Sequence, residues 1–101
     1  AEVFGGVSIL KGAGTLIAAE NEAIAFCPFG NPGMASAGMG DVLSGVIAGL
    51  LAQRFSLLLA AKTGVLLHAL AGDTAAKING ERGLLAGDLM IPLHQLVNPE
   101  I

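Results

Sequence analysis

Five lysines and arginines in 101 residues are too few for a nucleic-acid surface. Gripping a phosphate backbone takes a basic patch, and a formal net charge of -3 with scattered cations excludes one. Cysteine is as scarce: Cys27 stands alone and can form no internal disulfide, so a reducing, cytoplasmic compartment is the simplest setting. Long hydrophobic runs are missing too. Stretches such as Leu57 to Ala61 fall far short of the roughly 18 apolar residues a bilayer span needs, so membrane insertion is not expected. The opening residues show no basic-then-apolar leader pattern. No spacing of His, Cys and Asp has the look of a zinc site, and Cys27 has no histidine close in sequence to activate it, which leaves it a structural role.

What the chain has in abundance is apolar surface. It is 53% hydrophobic and 13% charged, which suits the buried part of a larger α/β domain better than a free-standing small one. It begins at Ala1 and runs within a few residues into an apolar strand. The expectation is that residues 1–101 are one C-terminal fragment of a single domain, with part of its apolar surface facing chain not present here.

Glycine is the second abundance, and it is concentrated where it matters. Asn31 to Gly45 reads Asn-Pro-Gly-Met-Ala-Ser-Ala-Gly-Met-Gly-Asp-Val-Leu-Ser-Gly, a flexible turn delivered into an apolar helix. Unpaired N–H groups at a helix start, with the positive end of its dipole, make a seat for an anion. A Walker loop would need Lys and then Ser or Thr after Gly38, and the chain has Met39-Gly40; neither Gly38-x-Gly40 nor Gly12-x-Gly14 completes the dinucleotide fingerprint. What remains is a glycine-rich anion cradle with Asp41 at its lip. Asp41 is also a good residue to cap a helix.

In chain order, Val7–Leu10 and Thr15–Ala18 read as strands joined by a glycine turn, with Lys11 at the end of the first. A lysine and open amides there suit a polyanion; an ordinary solvated turn fits the same residues. Ala23–Phe26 is a third strand candidate. A helix follows over Asp41–Gln53, apolar nearly all round and therefore expected to be buried on most sides, and Ser56 caps a second from Leu57 to about Lys77, closed by Asn79-Gly80. A short final helix contains Pro92, in its first turn or at a kink. His68 on the Leu-rich helix reads as a packed or partly exposed histidine, and His94 as a surface one. Met34 and Met39 flank the glycines, lining a pocket or simply packing.

The Asn31–Leu51 segment, together with Leu10-Lys11-Gly12-Ala13-Gly14-Thr15 and the closing Leu96-Val97-Asn98-Pro99, resembles the C-terminal portion of the ADP/ATP-dependent NAD(P)H-hydrate dehydratase family, within the ribokinase-like superfamily. The likeness covers essentially the whole chain. One departure is Ala37, where many members have a second glycine. The resemblance implies a layered α/β/α domain, with short strands and then three helices here. It implies a lyase that dehydrates the S-epimer of hydrated NADH or NADPH, with ADP or ATP as phosphoryl donor and Mg²⁺ as companion ion. It also implies assembly as a homo-oligomer when full length. On the matching positions, Gly38, Met39 and Gly40 would form the anion hole and Asp41 would contact the substrate and act as base on its hydroxyl. Lys11, Gly12, Ala13, Gly14, Thr15 and Gly40 would lie along the nucleotide. A vitamin-precursor kinase of the same superfamily, or an inactive fragment, are the alternative readings.

Overall fold

The computed structural model describes residues 2–12 and 14–98, and of Glu2 the backbone alone. Four strands come first: β1 (Glu2–Phe4), β2 (Val7–Lys11), β3 (Thr15–Ala19) and β4 (Ala25–Cys27). Their connections are too short to hold a crossover helix, so each strand can only turn back on its neighbour. The result is an antiparallel meander in the order β1-β2-β3-β4, with Ile9 opposite Ile17 and Thr15 opposite Cys27. Strand alternation then separates two faces. Val7, Ile9, Ile17 and Cys27 point inward and are buried; Leu10, Leu16 and Phe26, partners in adjacent strands, stand exposed on the other face.

Three helices follow: α1 (Met39–Ala52), α2 (Leu57–Asn79) and α3 (Met90–Val97). The chain is therefore α/β, strands first and helices after, as its pattern predicts. Helix α2 starts where Ser56 accepts a hydrogen bond from the Leu59 N–H at 3.3 Å, and stops at Gly80. Pro92 is the third residue of α3, inside the first turn, where its missing N–H costs nothing.

Two expectations about α1 are corrected. It opens at Met39 and not at Asp41, because Gly38 takes φ +87° and turns the chain into the helix two residues earlier; Gly38 is the cap and Asp41 lies in the first turn. Nor is α1 buried on most sides. Leu43, Ile47 and Leu50 form one buried stripe, while Gly45, Ala48, Gly49 and Ala52 face outward, small residues that raise the hydropathy without needing cover.

Helices α1 and α2 lie on the inward face of the sheet, giving a two-layer slab of 40 × 32 × 21 Å. They approach closely because α2 has Gly64 beneath Ile47: a Cβ there would sit 2.7 Å from Ile47 Cγ1. A second core, built of Met39, Ala71, Ala75, Leu84, Leu89 and Leu93, joins the far half of α2 to α3 and the start of α1. Ile47 is fully buried in the first core and Leu51 is 39% exposed. Ile47→Ala is accordingly expected to cost about 2–5 kcal/mol by denaturant titration and Leu51→Ala under about 1; equal costs would show that α1 does not pack as described.

Candidate functional site

The segment between β4 and α1 has no regular ladder to satisfy its backbone, so side chains do it. Asn31 Oδ1 accepts from the Gly33 N–H at 3.1 Å, starting a 3₁₀ turn (Pro32–Ala35) with Pro32 in its first position. The same Asn31 donates through Nδ2 to Asp73 Oδ1 at 2.9 Å, and the Gly30 N–H donates to Asp73 Oδ2 at 3.0 Å. Both oxygens of one α2 carboxylate thus hold the loop. Farther along, Ser36 Oγ donates to the Leu84 carbonyl at 2.8 Å. Met34, seated against Gly72, completes the attachment.

This fastened segment delivers the chain to Gly38. In the first turn of α1 the Met39 N–H reaches back to the Ser36 carbonyl at 3.4 Å and Val42 N–H to Gly38 at 3.1 Å. The N–H groups of Gly40 and Asp41 have no acceptor among the described residues, the usual condition of a helix start. Asp41 is exposed. It borders a shallow hollow shared with Val42 and Val46 of α1 and with Met90 and Leu93 of α3.

Of the described residues expected along a nucleotide, all but Gly40 gather elsewhere. Lys11, Gly12, Gly14 and Thr15 line one side of a cavity of about 410 Å³, closed on the other by Val65, His68 and Ala69 of α2 and by the Phe29–Ala35 loop. Ala13 lies outside the described residues. The structure therefore assembles Lys11, Gly12, Gly14 and Thr15 into one wall, and Gly38, Met39, Gly40 and Asp41 into one turn at the start of α1; of the second group only Asp41 borders a hollow, and that hollow is not the Lys11 cavity. The two methionines divide as well: Met34 lines the cavity, whereas Met39 is 2% exposed in the second core.

Two residues with no assigned part in the sequence turn out to connect these pieces. Asp73 is one; its partners are 42 and 43 positions away, and no local spacing announces them. His68 is the other. It is 4% exposed, and its Nε2 has no partner among the described residues. Burial, with the nearby Lys11 charge added, lowers its pKa to about 4, and a backbone hydrogen bond at Met39 opposes the shift. His68 thus stands in the cavity wall, with the Met39 backbone as its neighbour at the start of α1.

Comparison with known proteins adds the following. The sequence model of a family described as NAD(P)H-hydrate dehydratase matches residues 1–93. Among curated proteins, the bifunctional NAD(P)H-hydrate repair enzyme Nnr of Coxiella burnetii is 59% identical over 98 residues, covering 97% of this chain and 20% of that protein. The protein of the same name from Escherichia coli is 51% identical, over 97% of this chain and 19% of its own length. The ADP-dependent (S)-NAD(P)H-hydrate dehydratase of Neisseria meningitidis serogroup B is 43% identical, over 86% of this chain and 30% of its own length. The chain spans about a fifth of the first two relatives.

The buried imidazole makes a pH prediction. Its native pKa of about 4 lies below the ordinary 6.5, so on acidification the unfolded chain takes up the proton first. The stability that neutral His68 contributes is complete above pH 6.5 and drains away as pH falls to about 4. Between those pH values the wild type should lose on the order of 3 kcal/mol that His68→Asn does not lose. Parallel melting curves of the two would refute the burial of His68 as a neutral group.

Proposed function

The chain belongs to the NAD(P)H-hydrate dehydratase family, and from that premise we propose that it is the C-terminal part of an enzyme that removes water from the S-epimer of hydrated NADH or NADPH at the expense of a nucleotide phosphoryl group. The observation that carries this reading is the first turn of α1, where open amides at Gly40 and Asp41 adjoin the exposed Asp41 carboxylate. Phosphoryl transfer asks for positioning and for stabilisation of negative charge, and amides already fixed at a helix start supply both without rearrangement.

In this reading Gly38, Met39 and Gly40 form the anion hole around the travelling phosphate. Asp41 takes the proton from the ring hydroxyl as its oxygen bonds to phosphorus and the P–O bond to the donor nucleotide breaks; the ring C–O bond then breaks, phosphate departs with that oxygen, and the neighbouring ring carbon gives up a proton to solvent as the double bond returns. Lys11, Gly12, Ala13, Gly14 and Thr15, with Gly40, run along the nucleotide. The name of the Neisseria meningitidis relative states ADP dependence, which supports ADP as the donor, with ATP as the other choice. The chain's own side chains do not make a Mg²⁺ cage: among the described residues no three His, Cys, Asp or Glu come together, and no step is assigned to the ion. The uncovered row of Leu10, Leu16 and Phe26 supports placing more of the same α/β/α domain against the outer face of the sheet. Among the described residues no helix is long and apolar enough to cross a membrane, and a buried free Cys27 fits a reducing, cytoplasmic compartment.

The test uses the full-length protein with hydrated NADH and either ADP or ATP, following the return of reduced-nicotinamide absorbance. Asp41→Asn is expected to lower kcat by roughly 10²- to 10⁴-fold. Its melting temperature should move by only a few degrees, since a first-turn carboxylate contributes about 1 kcal/mol or less to the helix. Full turnover by the variant would remove the base assignment. A stable phosphorylated product would point to a small-molecule kinase instead, and no recovery with either nucleotide would overturn the dehydratase reading.

A further inference from the structure

We propose that Asn31 and Asp73 are a donor–acceptor pair of positioning residues for the transfer step: together they set the direction in which the loop after β4 enters the glycine turn, so that breaking the pair lowers turnover in a protein that stays folded. This role presupposes the dehydratase reading above and adds to it two side chains that act through the loop.

The pair is specified by hydrogen-bond polarity. The Gly33 N–H donates to Asn31 Oδ1 at 3.1 Å, Asn31 Nδ2 donates to Asp73 Oδ1 at 2.9 Å, and the Gly30 N–H donates to Asp73 Oδ2 at 3.0 Å. A backbone N–H can only donate and an ionised carboxylate can only accept, so the side chain between Gly33 and Asp73 must accept at one end and donate at the other. A short amide does both, and its partners fix which way round it lies. Position 31 is therefore intolerant of Asp, which would set two carboxylates face to face. Position 73 is intolerant of Asn, which would set two NH₂ groups face to face.

From Asn31 the fastening continues to α1. The Met34 N–H donates to the Asn31 carbonyl at 3.0 Å and winds the turn Pro32–Ala35. Ser36 donates through Oγ to the Leu84 carbonyl at 2.8 Å, and its own carbonyl takes the Met39 N–H at 3.4 Å. Between these points Gly33 lies against the Glu81 backbone and Met34 against Gly72, each too close for a Cβ on the glycine. One anchor would let the loop pivot; Asp73 at one end and Leu84 at the other do not. Phosphoryl transfer depends on in-line placement, and a displacement of about 1 Å caused far from the chemistry can cost on the order of 100-fold. The effect falls on kcat more than on nucleotide binding, because Lys11 and Thr15 stand on strands that the pair does not hold. Asn31 also lines the cavity and Asp73 does not, so a defect in an Asp73 variant reports the loop and not a lost ligand contact.

The experiment uses the full-length protein with hydrated NADH and ADP or ATP, comparing wild type, Asp73→Asn, Asn31→Asp and the double variant carrying both changes. In the double variant the new amide gives its oxygen to the Gly30 N–H and its NH₂ to the new carboxylate, whose other oxygen takes the Gly33 N–H. All three bonds return with the middle one reversed, and the net charge is that of the wild type. Each single variant is expected to lose roughly tenfold to hundredfold in kcat, with a much smaller change in KM for the nucleotide. The double variant should regain most of that loss, which restored polarity predicts and two independent defects would not. Rates are read where circular dichroism shows every form folded, beside Val7→Ala, a trimmed core residue of β2 that should keep its kcat. Should one single variant fail to fold, the other and the double variant make the same comparison. Amide hydrogen exchange adds a reading free of turnover: the N–H groups of Gly30 and Gly33 should exchange faster in the single variants and return to the wild-type rate in the double. Wild-type kcat in a single variant, a loss no larger than that of Val7→Ala, or a loss that the double variant does not restore would overturn the role. If the wild type turns over with neither nucleotide, the dehydratase reading falls and the role falls with it.

Discussion

The Asp73 carboxylate is the interaction on which the geometry of this chain turns. The segment from Pro28 to Gly38 has almost no repetitive structure, and a free loop of that length has no reason to deliver α1 at a fixed angle. Asp73 supplies the reason. Its two oxygens take one donor each from Gly30 and Asn31, at 3.0 and 2.9 Å. Because both acceptors belong to one rigid carboxylate on α2, the loop is fixed in direction as well as in distance. A hydrogen bond to a charged group is worth more than one between neutral groups, and this one is partly shielded from water. Ser36 repeats the device one turn farther on at the Leu84 carbonyl. Gly38 then needs only its left-handed φ to place the open amides of Gly40 and Asp41.

Helix α2 is consequently more than a core helix. Val65, Ala69 and Asp73 recur at every fourth position and His68 lies beside them, so one stretch of its surface meets both the cavity and the loop. The two cores share the burden: the first seats α2 on the sheet, the second ties its far half to Met39 and α3. A shift of α2 would move the cavity wall, the loop and the glycine turn together.

Much of this was legible in the sequence, and the reasons differ from element to element. Val7, Ile9 and Ile17 alternate with outward residues, and Gly12 to Gly14 can only be a turn, so the β2–β3 hairpin was readable from period and punctuation. Ser56 and Gly80 marked both ends of α2 by their chemistry. The start of α1 was misjudged by two residues because Asp41 has the chemistry of a cap, whereas the true cap, Gly38, works through backbone conformation and leaves no side-chain signal. The apolarity of α1 overstated its burial for a related reason: Gly45, Ala48, Gly49 and Ala52 count as hydrophobic in composition but bury little wherever they lie. Asp73 and the buried state of His68 were not legible. Each is defined by a partner far away in the chain, and a single sequence contains no distances.

The distribution of polar groups in α2 explains why those two illegible residues hold the loop and line the cavity. Its buried surface is almost wholly Ala, Gly and Val, small side chains that let the sheet and α1 come close. Close packing leaves little room for water, so a polar side chain set among them must find a protein or ligand partner or remain unsatisfied. Asp73 finds its partners in the loop, and half of His68 finds one at Met39. The other half, Nε2, has no partner among the described residues, and the residue lies in the wall of the cavity beside Lys11.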